Sequence, residues 1–148
     1  MDVLVERVIA LPPERVAGYA MDWRHDAEWI NGIHSVELSA EADGGGFGAG
    51  AEITRTAYIL GRRIDYVFQV VEYAPPCRLG LRAVAGPFPM DSAYRFDAHA
   101  DGTLASIRVR GDASRYLRIG IPVLRAVVRS SLRRSLCALA RNLGQSAS

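Results

Sequence analysis

Among the candidates for chemistry are tyrosines and other aromatics on alternating strands, and not a nucleophile with its base. Ile64, Tyr66, Phe68 and Val70 form the more apolar face of one segment, against Asp65, Val67, Gln69 and Val71. That alternation points the first set inward. Tyr94, Phe96 and Ala98 alternate in the same way with Arg95 and Asp97. A buried tyrosine hydroxyl normally needs a partner, so Tyr66 and Tyr94 either serve the oxygens of a ligand or serve each other within a packed core. Tyr58 is ambiguous, because neither face of residues 51–60 is clearly apolar. His25 and Asp26 suggest an acid/base pair, but neighbours on a helix point apart. His34 and His99 stand isolated near strand ends. Asp65 and Asp91 could act as bases if they faced inward, although strand aspartates usually face water. No Ser/His/Asp or Cys/His set can be assembled.

Metal and phosphate chemistry find no support. Cys77 and Cys137 lie 60 residues apart with no zinc-like Cys/His spacing, and read as two reduced thiols. The run Asp43-Gly44-Gly45-Gly46-Phe47-Gly48-Ala49-Gly50 reads as a turn and not a phosphate loop, since no Lys-Ser/Thr follows it. No metal site and no cofactor are expected.

The 148 residues are 49% hydrophobic and 23% charged, which suits one globular domain spanning 1–148. No apolar run approaches a membrane span, and the start of the chain lacks the pattern of a signal peptide. A cytoplasmic location is expected. The net charge of +2 hides an asymmetry. All 18 basic residues are arginine, and seven of them (Arg115, Arg118, Arg125, Arg129, Arg133, Arg134 and Arg141) follow residue 112, where no acid occurs. Such a segment can neutralise the acidic body it packs on. It can also touch an anionic membrane transiently. Nucleic-acid binding is not expected.

These side chains must be positioned by a recognisable series of elements. Val3 to Ile9 reads as a strand, and Pro12-Pro13-Glu14 opens a helix. A second short helical piece runs from Trp23 to Trp29, and Ile33 to Ser39 is a strand. Five close-spaced strands follow, over 51–60, 63–73, 77–85, 90–98 and 103–112, and imply an antiparallel meander. A long helix over 122–143 closes the chain, with Pro122 at its start and Gly144 past its end. Leu124, Val128, Leu132, Ser135, Leu139 and Leu143 form its inward stripe, while Ile119, Val123 and Val127 lie on another face. The economical packing is α+β: a curved antiparallel sheet of about seven strands gripping that helix.

In this order the chain resembles the START-like helix-grip superfamily, and within it the polyketide cyclase/dehydrase and lipid-transport family. The resemblance rests on Ile9-Ala10-Leu11-Pro12-Pro13-Glu14-Arg15-Val16, on Asp22 with Trp29, Gly32-Ile33 and Val36-Glu37, on Glu72-Tyr73-Ala74-Pro75-Pro76-Cys77-Arg78-Leu79, and on Gly102-Thr103. It implies a cavity between sheet and long helix that takes a lipid, polyketide or quinone-like ligand. Trp23 and Trp29 would then flank the roof of that cavity. Arg82, four residues before Gly86-Pro87-Phe88, is similar to an arginine of the aromatic polyketide aromatase/cyclases that lies in the pocket. A fixed guanidinium there would hold an enolate or phenolate oxygen. The alternative for Arg82 is a solvent-facing strand arginine paired with an acid. The second pocket arginine of those cyclases has no match, since residues 64–77 contain no arginine.

The resulting expectation is a monomer or homodimer that binds a small hydrophobic or amphipathic ligand. The ligand would be lined by Trp23, Trp29, Tyr58, Tyr66, Phe68, Arg82, Tyr94, Phe96, Leu124 and Val128. If the chain is an enzyme, Arg82 and Tyr94 would be catalytic in a cyclisation or dehydration. A membrane-surface lipid carrier is the third expectation.

Overall fold

The computed structural model describes residues 1–59, 61–86, 89–111 and 120–144. Pro87, Phe88, Arg115, Arg118 and Ile119 lie outside the described residues. The elements run β1 (Asp2–Ile9), α1 (Pro13–Ala20), a 3-10 turn (Trp23–His25), α2 (Asp26–Trp29), β2 (Ile33–Ala40), β3 (Glu52–Ile59), β4 (Arg62–Ala74), β5 (Arg78–Ala85), β6 (Met90–His99), β7 (Gly102–Gly111) and α3 (Ile121–Asn142). The expected elements are all present. The second helical piece resolves into the 3-10 turn followed by a single α turn.

All seven strands form one antiparallel sheet in the order β1-β7-β6-β5-β4-β3-β2. β2 to β7 are a meander, and β1 joins at the far edge beside β7. One face of the sheet is covered by α3 and the short helices. Its inward rows are Val3, Val5 and Ile9 on β1, Phe68 and Val70 on β4, Leu79 and Leu81 on β5, Tyr94 and Phe96 on β6, and Ala105, Ile107 and Val109 on β7, all buried. This is the helix-grip arrangement.

The Gly102-Thr103 pair has a physical reason. Gly102 has φ +132°, and a Cβ there would lie 2.3 Å from the Ile9 carbonyl oxygen. Only glycine lets β7 start against the β1–α1 connection. Thr103 then closes the joint, its buried Oγ1 donating to the Leu11 carbonyl at 2.7 Å.

Helix α3 buries Ser135, Leu136, Leu139 and Ala140 and leaves Leu124, Val128 and Leu132 half-buried. The serine within the apolar stripe is explained by α2. The Asn31 amide donates to Ser135 Oγ at 2.9 Å, and Asn31 Nδ2 donates to Ser131 Oγ at 3.0 Å. Asn142 Nδ2 donates to the Glu28 carbonyl at 3.0 Å. The roof formed by α2 is thus tied along α3. Among the described residues no helix is long and apolar enough to cross a membrane.

Candidate ligand-binding site

The site is built on the odd positions of β3. Ile53, Arg55 and Ala57 face inward, so an arginine enters the apolar interior and is only 4% exposed. Its partner comes from the roof. Asp26, at the start of α2 and 3% exposed, accepts from Arg55 Nε at 3.1 Å and from Nη2 at 2.8 Å on the same oxygen, Oδ2. Nη2 also donates to the Tyr94 hydroxyl on β6 at 3.2 Å. The guanidinium lies over the Phe68 ring, 5.0 Å from its centroid, and so also gains a cation–π contact.

Aromatic contacts extend this cluster both ways. Tyr66 stacks on Phe68 with ring centroids 5.7 Å apart. Trp29 meets Tyr94 edge-on at 5.8 Å. Tyr66, Phe68, Arg55, Tyr94 and Trp29 therefore form one continuous series. It starts in a half-buried zone. Ile64, Tyr66, Ala83 and Met90 are inward-facing but only partly covered. They sit where β4 and β6 begin and β5 ends. The first half of α3 points to that same end, since Arg7 on β1 reaches Cys137 at 3.5 Å and Asn142 reaches Tyr19 at 3.1 Å. Leu124, Val128 and Leu132 are half-buried on the inward stripe of that half of α3, and Val128 and Leu132 pack against the core.

The electrostatics follow from burial. Burial pushes the Asp26 carboxyl up from its ordinary value, while Arg55 pulls it down through charge and hydrogen bonds. Burial also raises the Tyr94 hydroxyl, against the pull of Arg55. For Arg55 itself burial works against the charge. Tyr94 and Asp26 outweigh it, so the guanidinium stays protonated above its usual range. The Tyr94 hydroxyl already accepts from Arg55, which leaves its own proton to donate. Trp29 is 2% exposed, and its buried Nε1 has no hydrogen-bond partner among the described residues. The Tyr94 hydroxyl, a neutral donor beside a charge-balanced ion pair, suits an uncharged oxygen acceptor such as a carbonyl.

The expected site residues divide into two groups. Trp29, Tyr66, Phe68 and Tyr94 come together as described, Phe96 is buried on the same inner face of β6, and Leu124 and Val128 lie on the inward stripe of α3. Arg82 does not join them. Leu79 and Leu81 point inward, so the pleat turns Arg82 outward; its side chain is 60% exposed and donates to Asp91 at 3.2 Å. The expected inward orientation is corrected to the solvent-facing pair with an acid. Tyr58 is also outward, opposite in phase to Arg55, and meets His34 edge-on at 5.1 Å. Trp23 is half-buried and borders a separate groove of about 660 Å³ with Phe47 and Tyr73, between α1 and the glycine-rich turn. His25 and Asp26 diverge as adjacent helical residues should. His25 stacks on Tyr19 at 4.4 Å, away from Asp26.

Sequence reasoning missed Arg55. Its signal was parity: a lone arginine between Ile53 and Ala57, out of phase with Thr54 and Thr56. Among the described residues no group of three or more His, Cys, Asp or Glu could hold a metal ion.

A family model described as polyketide cyclase/dehydrase and lipid transport matches residues 1–144. None of the curated proteins compared matches the sequence. Solved structures share the fold at low identity. The TTHA0849 protein of Thermus thermophilus is 19% identical, with TM-score 0.78 and 97% of each chain covered. The Zhui aromatase/cyclase from Streptomyces sp. R1128 is 15% identical, with TM-score 0.77 over 97% of this chain and 93% of that one. A START superfamily protein from Mycobacterium smegmatis is 15% identical, with TM-score 0.75 over 97% and 95%. With the family model spanning nearly its whole length, the chain belongs to the polyketide cyclase/dehydrase and lipid transport family.

Proposed function

We propose that this protein binds a small hydrophobic or amphipathic ligand between the sheet and α3, acting in the cytoplasm. The ligand is a lipid, polyketide or quinone-like molecule with an oxygen acceptor at its inner end. The observation that carries this reading is the buried Trp29 indole N–H without an acceptor among the described residues, on a ring that meets the Tyr94 ring edge-on. An unmade hydrogen bond at a buried donor costs about 1–3 kcal/mol, and a ligand oxygen would recover it. The half-buried Tyr66, Ala83, Val128 and Leu132, which pack against the core, would supply the site's apolar lining.

Titration with a long-chain aldehyde and its parent alkane tests this. The aldehyde should bind more tightly, and Trp29→Phe should remove about fivefold of that preference, the equivalent of ~1 kcal/mol. Ala83→Trp, which fills the rim opposite Phe68, should weaken both ligands at least tenfold. Binding that is absent, or unchanged by Ala83→Trp, contradicts the site.

The second reading is a cyclase/dehydratase. It is favoured by a fixed guanidinium 3.2 Å from a tyrosine hydroxyl. In it Arg55, not Arg82, steadies the developing oxyanion, and Tyr94 moves the proton. Turnover that survives Arg55→Met in a folded protein would remove this reading.

A further inference from the structure

Helix α3 has an outer face that no other element among the described residues covers. Val123, Val127, Ser130, Arg134 and Arg141 follow the i, i+4, i+7, i+11, i+18 progression and share one line along the helix, opposite the buried Leu139. From first to last the line is about 27 Å long at ~1.5 Å per residue. Its first half is apolar and bare, with Val123 54% and Val127 61% exposed. Its second half is cationic.

The charge is unbalanced. Between Ile121 and Asn142 there are five arginines (Arg125, Arg129, Arg133, Arg134 and Arg141) and no Asp or Glu. Among the described residues none of the five makes an ion pair, whereas seven arginines of the sheet and the roof are paired with aspartates. Beside this face a groove of about 690 Å³ between α2 and α3 is walled by Arg129, Arg133, Arg134 and Arg141. The acid on its rim, Glu28, already accepts from the Tyr19 hydroxyl at 3.0 Å. Among the described residues these arginines are thus not matched by acids of the body within ion-pair distance. They extend a cationic face next to bare apolar side chains.

We infer that this face docks on an anionic membrane surface. Val123 and Val127 enter the interface, and Arg134 and Arg141 meet lipid phosphates. An aqueous polyanion would explain the arginines but would leave two adjacent valines without a role. A second copy of this chain would cover the valines but leave Arg134 and Arg141 of the same line with no acid to meet, since the helix carries no Asp or Glu. An anionic bilayer satisfies both halves of the line. The inference is independent of what the interior of the protein holds.

Co-sedimentation tests it with full-length protein and vesicles of phosphatidylcholine alone or with 30% phosphatidylglycerol. Binding should need the anionic lipid and fall sharply between 0.05 and 0.5 M salt. Arg134→Gln and Arg141→Gln should each weaken it roughly fivefold. Val127→Ser should weaken it about tenfold. All three positions are exposed, so the thermal midpoints of the variants should match that of the parent, which separates lost docking from lost folding. Equal binding to neutral vesicles overturns the inference, as does indifference to both arginine substitutions. Two further results also overturn it: a dimer that dissociates in Val127→Ser while vesicles stay unbound, and tighter binding to duplex DNA than to anionic vesicles.

Discussion

Removing the Asp26 carboxylate should cost this fold more than any other single charge. Asp26→Ala leaves the Arg55 guanidinium, 4% exposed, without its counter-charge and two of its hydrogen bonds. Breaking a buried pair from one side costs about 3–5 kcal/mol, because the remaining ion stays desolvated. At ~2–4 °C per kcal/mol for a chain of this size, the melting midpoint should fall by about 6–20 °C. Asp26→Asn keeps an acceptor oxygen and should lie between the parent and Asp26→Ala. The double variant Asp26→Leu/Arg55→Met replaces both ions by apolar groups and should recover most of the loss. The assay is chemical and thermal unfolding of these proteins and of Arg55→Met alone as a double-mutant cycle, repeated at high salt. Salt should barely alter the coupling, since water and ions do not reach the pair. The exposed Arg108–Asp2 bridge supplies a contrast. Its side chains are 43% and 47% exposed, so its removal should cost far less, and less again in salt. A loss of under ~1 kcal/mol in Asp26→Ala would refute the reasoning, because a cost that small belongs to a hydrated surface pair and not to a low-dielectric interior.

Three other outcomes follow from the same geometry. Arg82→Ala, at a side chain 60% exposed on the outer sheet face, should change stability by less than ~0.5 kcal/mol and leave ligand affinity unchanged; a tenfold loss of affinity would return Arg82 to the site. Gly102→Ala should cost at least about 2 kcal/mol, since its Cβ would sit 2.3 Å from the Ile9 carbonyl oxygen at a left-handed φ, and near-parental unfolding would contradict the β1–β7 joint. The Asp22 carboxyl is held below the usual carboxylate range, chiefly by hydrogen bonding to Arg24. Its folded pKa thus lies below its unfolded one, so its contribution is full above the unfolded value and is lost as the pH falls through the folded one. Asp22→Asn should therefore be destabilised at neutral pH and converge on the parent in acid, as unfolding curves at both pH values would show.

How much of this was legible in the sequence differs by element. The inward row Ile64, Tyr66, Phe68 and Val70 was readable from alternation because β4 has one clearly more apolar face. The stripe on α3 was readable because helical spacing survives one buried serine. The order of elements carried the fold. The centre of the site was not legible, because Arg55 is a charge in an otherwise inward row and made β3 look two-sided. Its compensation lies on Asp26, 29 residues away, and no local pattern encodes that partnership. Tyr58 was ambiguous for the same reason. Once Arg55 points in, a residue three positions on must point out. Arg82 is the opposite case. Leu79, Leu81 and Ala83 already assign it to the wet face, and the resemblance to pocket arginines of cyclases ran against that parity. The vacant donor on Trp29 depends on tertiary packing alone.

The central claim is an interior that holds a ligand against Trp29, Tyr94 and the rim of β4, β5 and α3. Its most direct test is native mass spectrometry of freshly purified protein, followed by solvent extraction and analysis of what was released. The account predicts a non-covalent adduct carrying at least one carbonyl or hydroxyl oxygen, removed by solvent and displaced in Ala83→Trp. A protein that is adduct-free from every preparation, and that takes up neither the long-chain aldehyde nor a hydrophobic dye, would contradict it.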